Sequence, residues 1–225
     1  MNTTRRDTST GSRRAIALLS GGLDSAVASA LFVQQGNSLV ACLFADYGQR
    51  AREREAVAAE RLVARWQAPL LRVALPWLGA LAVQTGSRLL PCTGALPVGT
   101  LASPGDAASA SAVWVPARNA VLVAVAAAHA EALNADCIVA GFNREEAATF
   151  PDNSADFLAA GSAFLQHGTR TRVAVVSPTI GMDKNELVAA ARSLGFAAGD
   201  FWSCYSGDAA PCGRCESCLR SRWQR

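Results

Sequence analysis

Along residues 13–200 two spacings of apolar positions take turns, short continuous runs and repeats every three to four residues. The runs at 15–19 (AIALL) and 38–44 (SLVACLF) read as buried strands. Between them, residues 25–35 put Val27, Ala30 and Leu31 on one helical face, and Gly36-Asn37 closes that helix. Residues 51–66 read as a charged amphipathic helix with Ala59, Leu62, Val63 and Trp66 as its inner stripe, followed by a short strand near 70–73. From 85 to 112 periodicity stops and Gly, Pro, Ser and Thr take over, which predicts a long loop or flexible insertion. It resumes in a helix over about 118–133, a strand at 137–140, a helix over about 156–166 and a strand at 173–176. His129 shares a helical face with Leu122 and Val125 and reads as a core histidine. Asp183 and Glu186 make a capping-box-like start for a helix carrying Leu187, Val188, Ala191 and Leu194. Strands alternating with helices predict an α/β fold, a doubly wound parallel sheet covered on both faces, without internal repeats.

Composition bounds the picture. A chain of 225 residues, 51% hydrophobic and 17% charged, can bury a core of one domain plus an appendage. The expected division is a disordered polar tail at 1–12, a main domain at 13–200 with the insertion at about 85–112, and a C-terminal segment at 201–225. A net charge of +3, with basic residues dispersed except in the tail and near the C-terminus, argues against direct nucleic-acid binding. Arg13-Arg14, the apolar run and Ala28-Ser29-Ala30 superficially resemble a signal peptide, but Asp24 and a glycine pair interrupt the run. No apolar stretch approaches the roughly 20 residues of a membrane span, so the expectation is a cytoplasmic protein without membrane contact.

Two motifs carry chemistry. The first is Ser20-Gly21-Gly22-Leu23-Asp24-Ser25, in the turn from first strand to first helix, where parallel sheets bind ligands. Gly21 and Gly22 admit an anion close to the backbone, and the N–H groups of the helix start favour negative charge. Ser20 and Ser25 add hydroxyl donors, while Asp24 either caps the helix or holds Mg²⁺ bridging phosphate oxygens. Neither G-x-x-x-x-G-K-[ST] nor G-x-G-x-x-G is present. The plain alternative is a glycine-rich turn without a ligand.

The second motif gathers four of the seven cysteines, Cys204, Cys212, Cys215 and Cys218, in the spacing C-x7-C-x2-C-x2-C. Four thiolates match tetrahedral zinc, and with every position filled by protein the metal is structural. Gly207 and Gly213 ease the turns between ligands. Reactive thiols or disulfides are the alternatives, less suited to so tight a group in a cytosolic chain. Cys42 and Cys137 lie in apolar strands and read as small core residues, and Cys92 has no assigned role.

S-G-G-x-D-S after a buried strand resembles the PP-loop of ATP pyrophosphatases. With the terminal cysteines, the chain resembles the 7-cyano-7-deazaguanine synthase (QueC) family of the queuosine precursor pathway. Asp46-Tyr47-Gly48-Gln49-Arg50 resembles that family's segment after its second strand, and Val115-Pro116-Ala117-Arg118-Asn119 its V-P-G-R-N. Residues 141–157 resemble its G…YPDC…F segment, Met182-Asp183-Lys184-Asn185-Glu186 its x-D-K-x-E, and Ser203-Cys204-Tyr205 the start of its metal site. There are two departures: Ala117 stands where glycine is usual, and Phe150-Pro151-Asp152-Asn153 where Tyr-Pro-Asp-Cys is usual.

The resemblance implies an adenine-nucleotide-alpha-hydrolase-like, Rossmann-type sandwich with a small zinc subdomain, acting as a homodimer on small molecules. It implies that ATP activates 7-carboxy-7-deazaguanine as an adenylate, that ammonia converts it to an amide, and that a second activation yields the nitrile. Leu19, Ser20, Gly21, Gly22, Leu23, Asp24 and Ser25 would hold pyrophosphate and Mg²⁺, and Lys184 would contact phosphate oxygens. Arg118 would bind the substrate carboxylate, with Asp24 and Lys184 completing the catalytic set. Gln49, Asn119 and Asn153 would line the base pocket, Asp152 would accept from the guanine-like N–H edge, and Tyr47, Phe150 or Trp202 would stack on the base. Competing readings are a related enzyme coupling the deazapurine acid to another amine in defence or protein modification, a PP-loop tRNA-modifying enzyme, and a zinc-dependent nucleic-acid or partner-binding module.

Overall fold

The structure is a computed structural model that describes residues 11–99 and 107–220; most of the expected tail, residues 100–106 of the expected insertion and residues 221–225 lie outside the described residues. The apolar runs become five strands, β1 (Arg14–Leu18), β2 (Ser38–Asp46), β3 (Leu70–Ala74), β4 (Cys137–Val139) and β5 (Ala174–Val176). They form one parallel sheet in the order β3-β2-β1-β4-β5. The chain builds outward from β1 first to one side and then to the other. The carboxyl ends of β1 and β4 therefore flank a crevice at the point where strand order reverses, the usual ligand position of such sheets.

Successive side chains of a strand point to opposite faces, and the core divides accordingly. Ala15, Ala17, Cys42 and Phe44 pack with α1 (Leu23–Gln34), α2 (Arg52–Ala64) and α8 (Lys184–Ser193). Ile16, Ala41 and Leu43 pack on the other face with α5 (Arg118–Ala132) and α7 (Ala155–Gly168). Cys42 and Cys137 are fully buried, as small core residues should be. His129 departs from expectation: it is half-buried in the last turn of α5 and absent from the buried core. Among the described residues, no helix is long and apolar enough to cross a membrane.

Four short helices escape the periodicity argument. In α3 (Pro76–Gln84) apolar residues surround the axis: Leu78 and Ala82 are buried while Trp77 and Leu81 are exposed, so no stripe stands out. Gly79 lets it approach β2's continuation, since a Cβ there would lie 2.0 Å from the Tyr47 carbonyl oxygen. The helices α4 (Ala107–Ala112), α6 (Arg144–Ala147) and α9 (Glu216–Arg220) are too short to show a period. Within the expected insertion, Leu89 and Leu90 are buried beside α3. The Arg50 guanidinium ties this stretch down by donating to the carbonyls of Arg88 (2.8 Å), Pro91 (3.2 Å) and Gly94. A segment without apolar period is thus fixed through its main-chain carbonyls.

Candidate active site

The turn after β1 is shaped by its own side chains. The Ser20 and Ser25 hydroxyls share a hydrogen bond of 3.2 Å, Ser25 Oγ donates to the Gly22 carbonyl (3.1 Å), and Gly22 N–H donates to Ser20 Oγ (3.3 Å). Gly21 has φ +78°, and a Cβ on it would lie 2.3 Å from the Glu55 carbonyl oxygen of α2. Its glycine is required by packing; Ser20, Gly22, Leu23, Asp24 and Ser25 line the cavity below, but Gly21 does not. No side chain caps α1 at Gly22, which leaves first-turn N–H groups for an incoming acceptor. On the other side, a Cβ on Gly141 would lie 2.6 Å from the Ser25 nitrogen, so the end of β4 fixes the start of α1.

Asp24 does not cap the helix. Its Oδ2 accepts from Lys184 Nζ at 2.5 Å, and the same ammonium reaches Glu146 Oε1 at 3.0 Å. The Lys184 side chain is only 12% exposed, which removes it from the class of solvated first-turn lysines. Burial opposes its charge, but Asp24 and Glu146 outweigh burial and hold the ammonium above its ordinary range. Burial pushes the Asp24 carboxyl up against the pull of Lys184. For Glu146, burial is outweighed by Lys184 and Arg220, which keep the carboxylate below its usual range. The expected capping box stands: Asp183 Oδ1 accepts from Asn185 and Glu186 N–H while Glu186 Oε2 accepts from Asp183 N–H, which aims Lys184 inward from the first turn of α8.

The opposite wall holds the remaining expected residues. The Arg118 guanidinium donates to the Tyr47 phenol oxygen. Asn119 Nδ2 donates to the Asp152 carbonyl at 3.0 Å, and Asn153 Nδ2 to Asp152 Oδ1 at 3.2 Å. Asp152 Oδ2 is buried without a partner among the described residues, and burial raises this carboxyl while Arg118 pulls it down. Phe150 stacks with Trp114, centroids 6.2 Å apart and planes 11° apart. Gln49 lines the cavity with its amide committed: Nε2 donates to the Ala45 carbonyl (3.0 Å) and Glu55 Oε2 (2.9 Å), and Oε1 accepts from Tyr47 N–H (3.0 Å). It braces the wall and has no donor left for a base.

The C-terminal segment closes the third side. Trp202 N–H donates to the Gly21 carbonyl at 2.9 Å, and a Cβ on Gly207 would sit 2.2 Å from the Arg50 carbonyl oxygen. The Sγ atoms of Cys204, Cys212, Cys215 and Cys218 all lie within 4.8 Å of one another, with Cys204–Cys215 and Cys212–Cys218 at 4.0 Å. Zinc bound at about 2.3 Å to each sulfur of a tetrahedron sets sulfurs roughly 3.8 Å apart, so the donor set fits. Backbone N–H groups of Ser206 and Cys212 donate to Cys204 Sγ, both at 3.3 Å, which fixes that sulfur in place. In the turn after β1, Asp24 Oδ1 is buried and unpartnered, an acceptor that suits a divalent cation.

All three walls enclose one cavity of 310 Å³. It contains the expected residues Leu19, Ser20, Gly22, Leu23, Asp24, Ser25 and Lys184 beside Tyr47, Arg118, Asn119, Phe150, Asp152, Asn153 and Trp202. Glu55, Trp114, Glu146, Tyr205, Glu216 and Arg220, none of them a site candidate from the sequence, also line it. Glu55 sits in the charged run REREA, where three preceding charges make an inward acid look like part of a solvated face. Glu146 follows Asn143, whose side chain caps α6, a signal readable in N-R-E-E had so short a helix been expected.

Residues 14–223 match the family model described as queuosine biosynthesis protein QueC. The 7-cyano-7-deazaguanine synthase of Pelotomaculum thermopropionicum is 44% identical over 211 residues, covering 92% of this chain and 94% of its own. That of Methanothermobacter thermautotrophicus is 40% identical over 216 residues, 93% of this chain and 92% of its own. Among solved structures, the U34-tRNA thiolase NcsA from Methanococcus maripaludis aligns with a TM-score of 0.50 at 16% identity, over 85% of this chain and 59% of that one, a likeness of fold alone. A match that runs from β1 through all four cysteines, at this identity and over nearly the full length of both chains, places this chain in the QueC family of queuosine biosynthesis proteins.

Proposed function

We propose that this protein converts 7-carboxy-7-deazaguanine, ammonia and ATP into 7-cyano-7-deazaguanine, with AMP and pyrophosphate as by-products. The observation that carries the reading is the shared cavity lined by the glycine- and serine-containing turn after β1 together with Arg118 and Asp152. The β- and γ-phosphates of ATP sit on the start of α1, among the hydroxyls of Ser20 and Ser25. Lys184, held protonated, neutralises charge as pyrophosphate departs. Mg²⁺ at Asp24, when bound, screens the phosphate oxygens. Arg118 orients the substrate carboxylate for in-line attack on the α-phosphorus, and the Tyr47 phenol fixes the guanidinium. The unpartnered Asp152 Oδ2 accepts from the N–H edge of the deazapurine, with Phe150 and Trp114 as its aromatic wall. Ammonia then displaces AMP to leave the amide, whose oxygen is activated in turn and leaves with a second AMP. No enzyme nucleophile is needed, so Asn153 in place of a thiol is compatible with this course.

Zinc in the four-cysteine site supplies a structural hold on the segment that closes the third wall. This reading places the enzyme in the cytoplasm, acting on small molecules without nucleic acid. The homodimer would pair through apolar surface such as the exposed Trp77 and Leu81 of α3. Protein incubated with ATP, Mg²⁺, ammonium and the carboxylic acid should yield the nitrile by mass spectrometry. An adenylate that forms without nitrile would instead favour a second reading, coupling of the same acid to another amine, which the departure at Asn153 motivates.

A further inference from the structure

Amination releases protons, and the groups assigned so far cannot take them. Ammonia attacking the acyl adenylate gives a tetrahedral adduct bearing an N–H₃⁺ group, which must lose a proton before AMP leaves. In the second stage the amide oxygen displaces pyrophosphate to give R–C(=NH₂⁺)–O–AMP, which sheds one N–H proton to become the imidoyl adenylate, R–C(=NH)–O–AMP; this breaks its C–O bond to AMP while the N–H electron pair becomes the third C–N bond, releasing the remaining proton. Lys184 is held protonated, Asp24 and Glu146 share its ammonium, Arg118 does not deprotonate, and Asp152 is already engaged by the N–H edge of the deazapurine and the Asn153 amide.

Glu55 is placed differently. It lies in the first turn of α2, with its backbone carbonyl packed against Gly21 of the nucleotide turn and its side chain lining the cavity. It thus stands at the seam between the phosphate-binding start of α1 and the wall of Tyr47 and Arg118. Its Oε2 accepts from Gln49 Nε2 at 2.9 Å, and Gln49 is itself locked to the Ala45 carbonyl and Tyr47 N–H. A carboxylate held by a braced amide has a fixed direction. Among the described residues no lysine or arginine forms an ion pair with it; the charged or titratable groups facing it are Arg118, Tyr47 and Asp46. Burial, opposed by Gln49 and Arg118, pushes its carboxyl up to about 7, where a proton acceptor works best at neutral pH.

We propose that Glu55 is the general base of the amination and nitrile-forming steps, accepting the N–H protons that ammonia and the imidoyl adenylate must lose. The inference rests on the proposed reaction and adds the group that makes its proton balance close. Each proton passes from nitrogen to a Glu55 carboxylate oxygen and from there to solvent between steps.

The test compares the full-length protein with Glu55→Gln and Glu55→Asp between pH 6 and 9 at a fixed concentration of free ammonia, measuring pyrophosphate release, amide and nitrile separately in the first turnover. Wild type should form nitrile at a rate that rises through about pH 7. In Glu55→Gln, amide and nitrile formation should fall at least about 100-fold more than pyrophosphate release, and the rising limb should vanish. Glu55→Asp, which keeps a base on a shorter arm, should retain the rising limb at a lower rate, and its folding is checked by thermal unfolding. Nitrile formation by Glu55→Gln at the wild-type rate and with the wild-type pH profile would overturn the proposal. Equal loss of pyrophosphate release and nitrile in Glu55→Gln would overturn it too, by assigning Glu55 to binding. Absence of nitrile from wild type would instead defeat the proposed reaction itself.

Discussion

Ala117 adopts φ +52° and ψ 25° just ahead of α5, a left-handed conformation in which a Cβ crowds the backbone by about 1–2 kcal/mol. The sequence departure from V-P-G-R-N therefore falls where glycine has a physical reason to be. Ala117→Gly should raise stability by about 0.5–1 kcal/mol in urea unfolding, part of the relieved strain being offset by the looser unfolded chain; no gain would mean that the turn relaxes around the methyl group. Asp24 and Lys184 form a pair whose removal separates fold from chemistry. In Asp24→Asn, Lys184 keeps Glu146 as partner, so the fold should persist while pyrophosphate release drops at least about 100-fold; normal release would remove Asp24 from the mechanism. Asn153 holds one oxygen of Asp152, the acid with an orphan second oxygen. Asn153→Ala should weaken substrate binding by about 1–3 kcal/mol, measured by titration calorimetry, with the nitrile still formed.

At the scale of elements, three segments distant in sequence converge on one turn. The end of β4 presses on α1 through Gly141, α2 touches Gly21, and the cysteine segment donates from Trp202 to the Gly21 carbonyl. The cysteine segment is thereby a support for the turn after β1 as well as a cap on the fold. Chelating metal from the four-cysteine site should weaken ATP binding at least about tenfold at a temperature where the sheet stays folded by circular dichroism; ATP affinity independent of metal content would break this link. The elements that sequence made legible are those with a period: all five strands and α1, α2, α5, α7 and α8. Those it hid lack one. The helix α3 is apolar all round, α4, α6 and α9 span at most six residues, and the stretch after α3 is organised by Arg50 acting on carbonyls from 38 or more residues away.

Across the whole molecule, the candidate site was legible where chemistry leaves a local string, as in S-G-G-L-D-S, D-K and the four cysteines, whose residues the fold brings together. It was hidden where roles depend on which way a common residue faces. Glu55 looks like its neighbours Glu53 and Arg54, and Gln49 looks like a ligand until its amide is found fully engaged. The inward acid also leaves a signature in global stability. Its folded value near 7 lies above the ordinary 4.5, so the folded state binds the proton more tightly, and stability falls as pH rises from about 4.5 through 7. Glu55→Gln should match wild type near pH 4.5 and exceed it by up to about 3 kcal/mol at pH 8, read from unfolding curves at both values; a lower stability at pH 8 would mean that the carboxylate is stabilising where it lies. The central claim, that one cavity activates both oxygens of the acid in succession, is tested most directly by following the fate of those oxygens. With 7-carboxy-7-deazaguanine labelled by ¹⁸O in both carboxylate positions, mass spectrometry should find one labelled oxygen in each of two AMP molecules per nitrile and none in pyrophosphate. Nitrile accompanied by unlabelled AMP, or label released as water or in pyrophosphate, would contradict it.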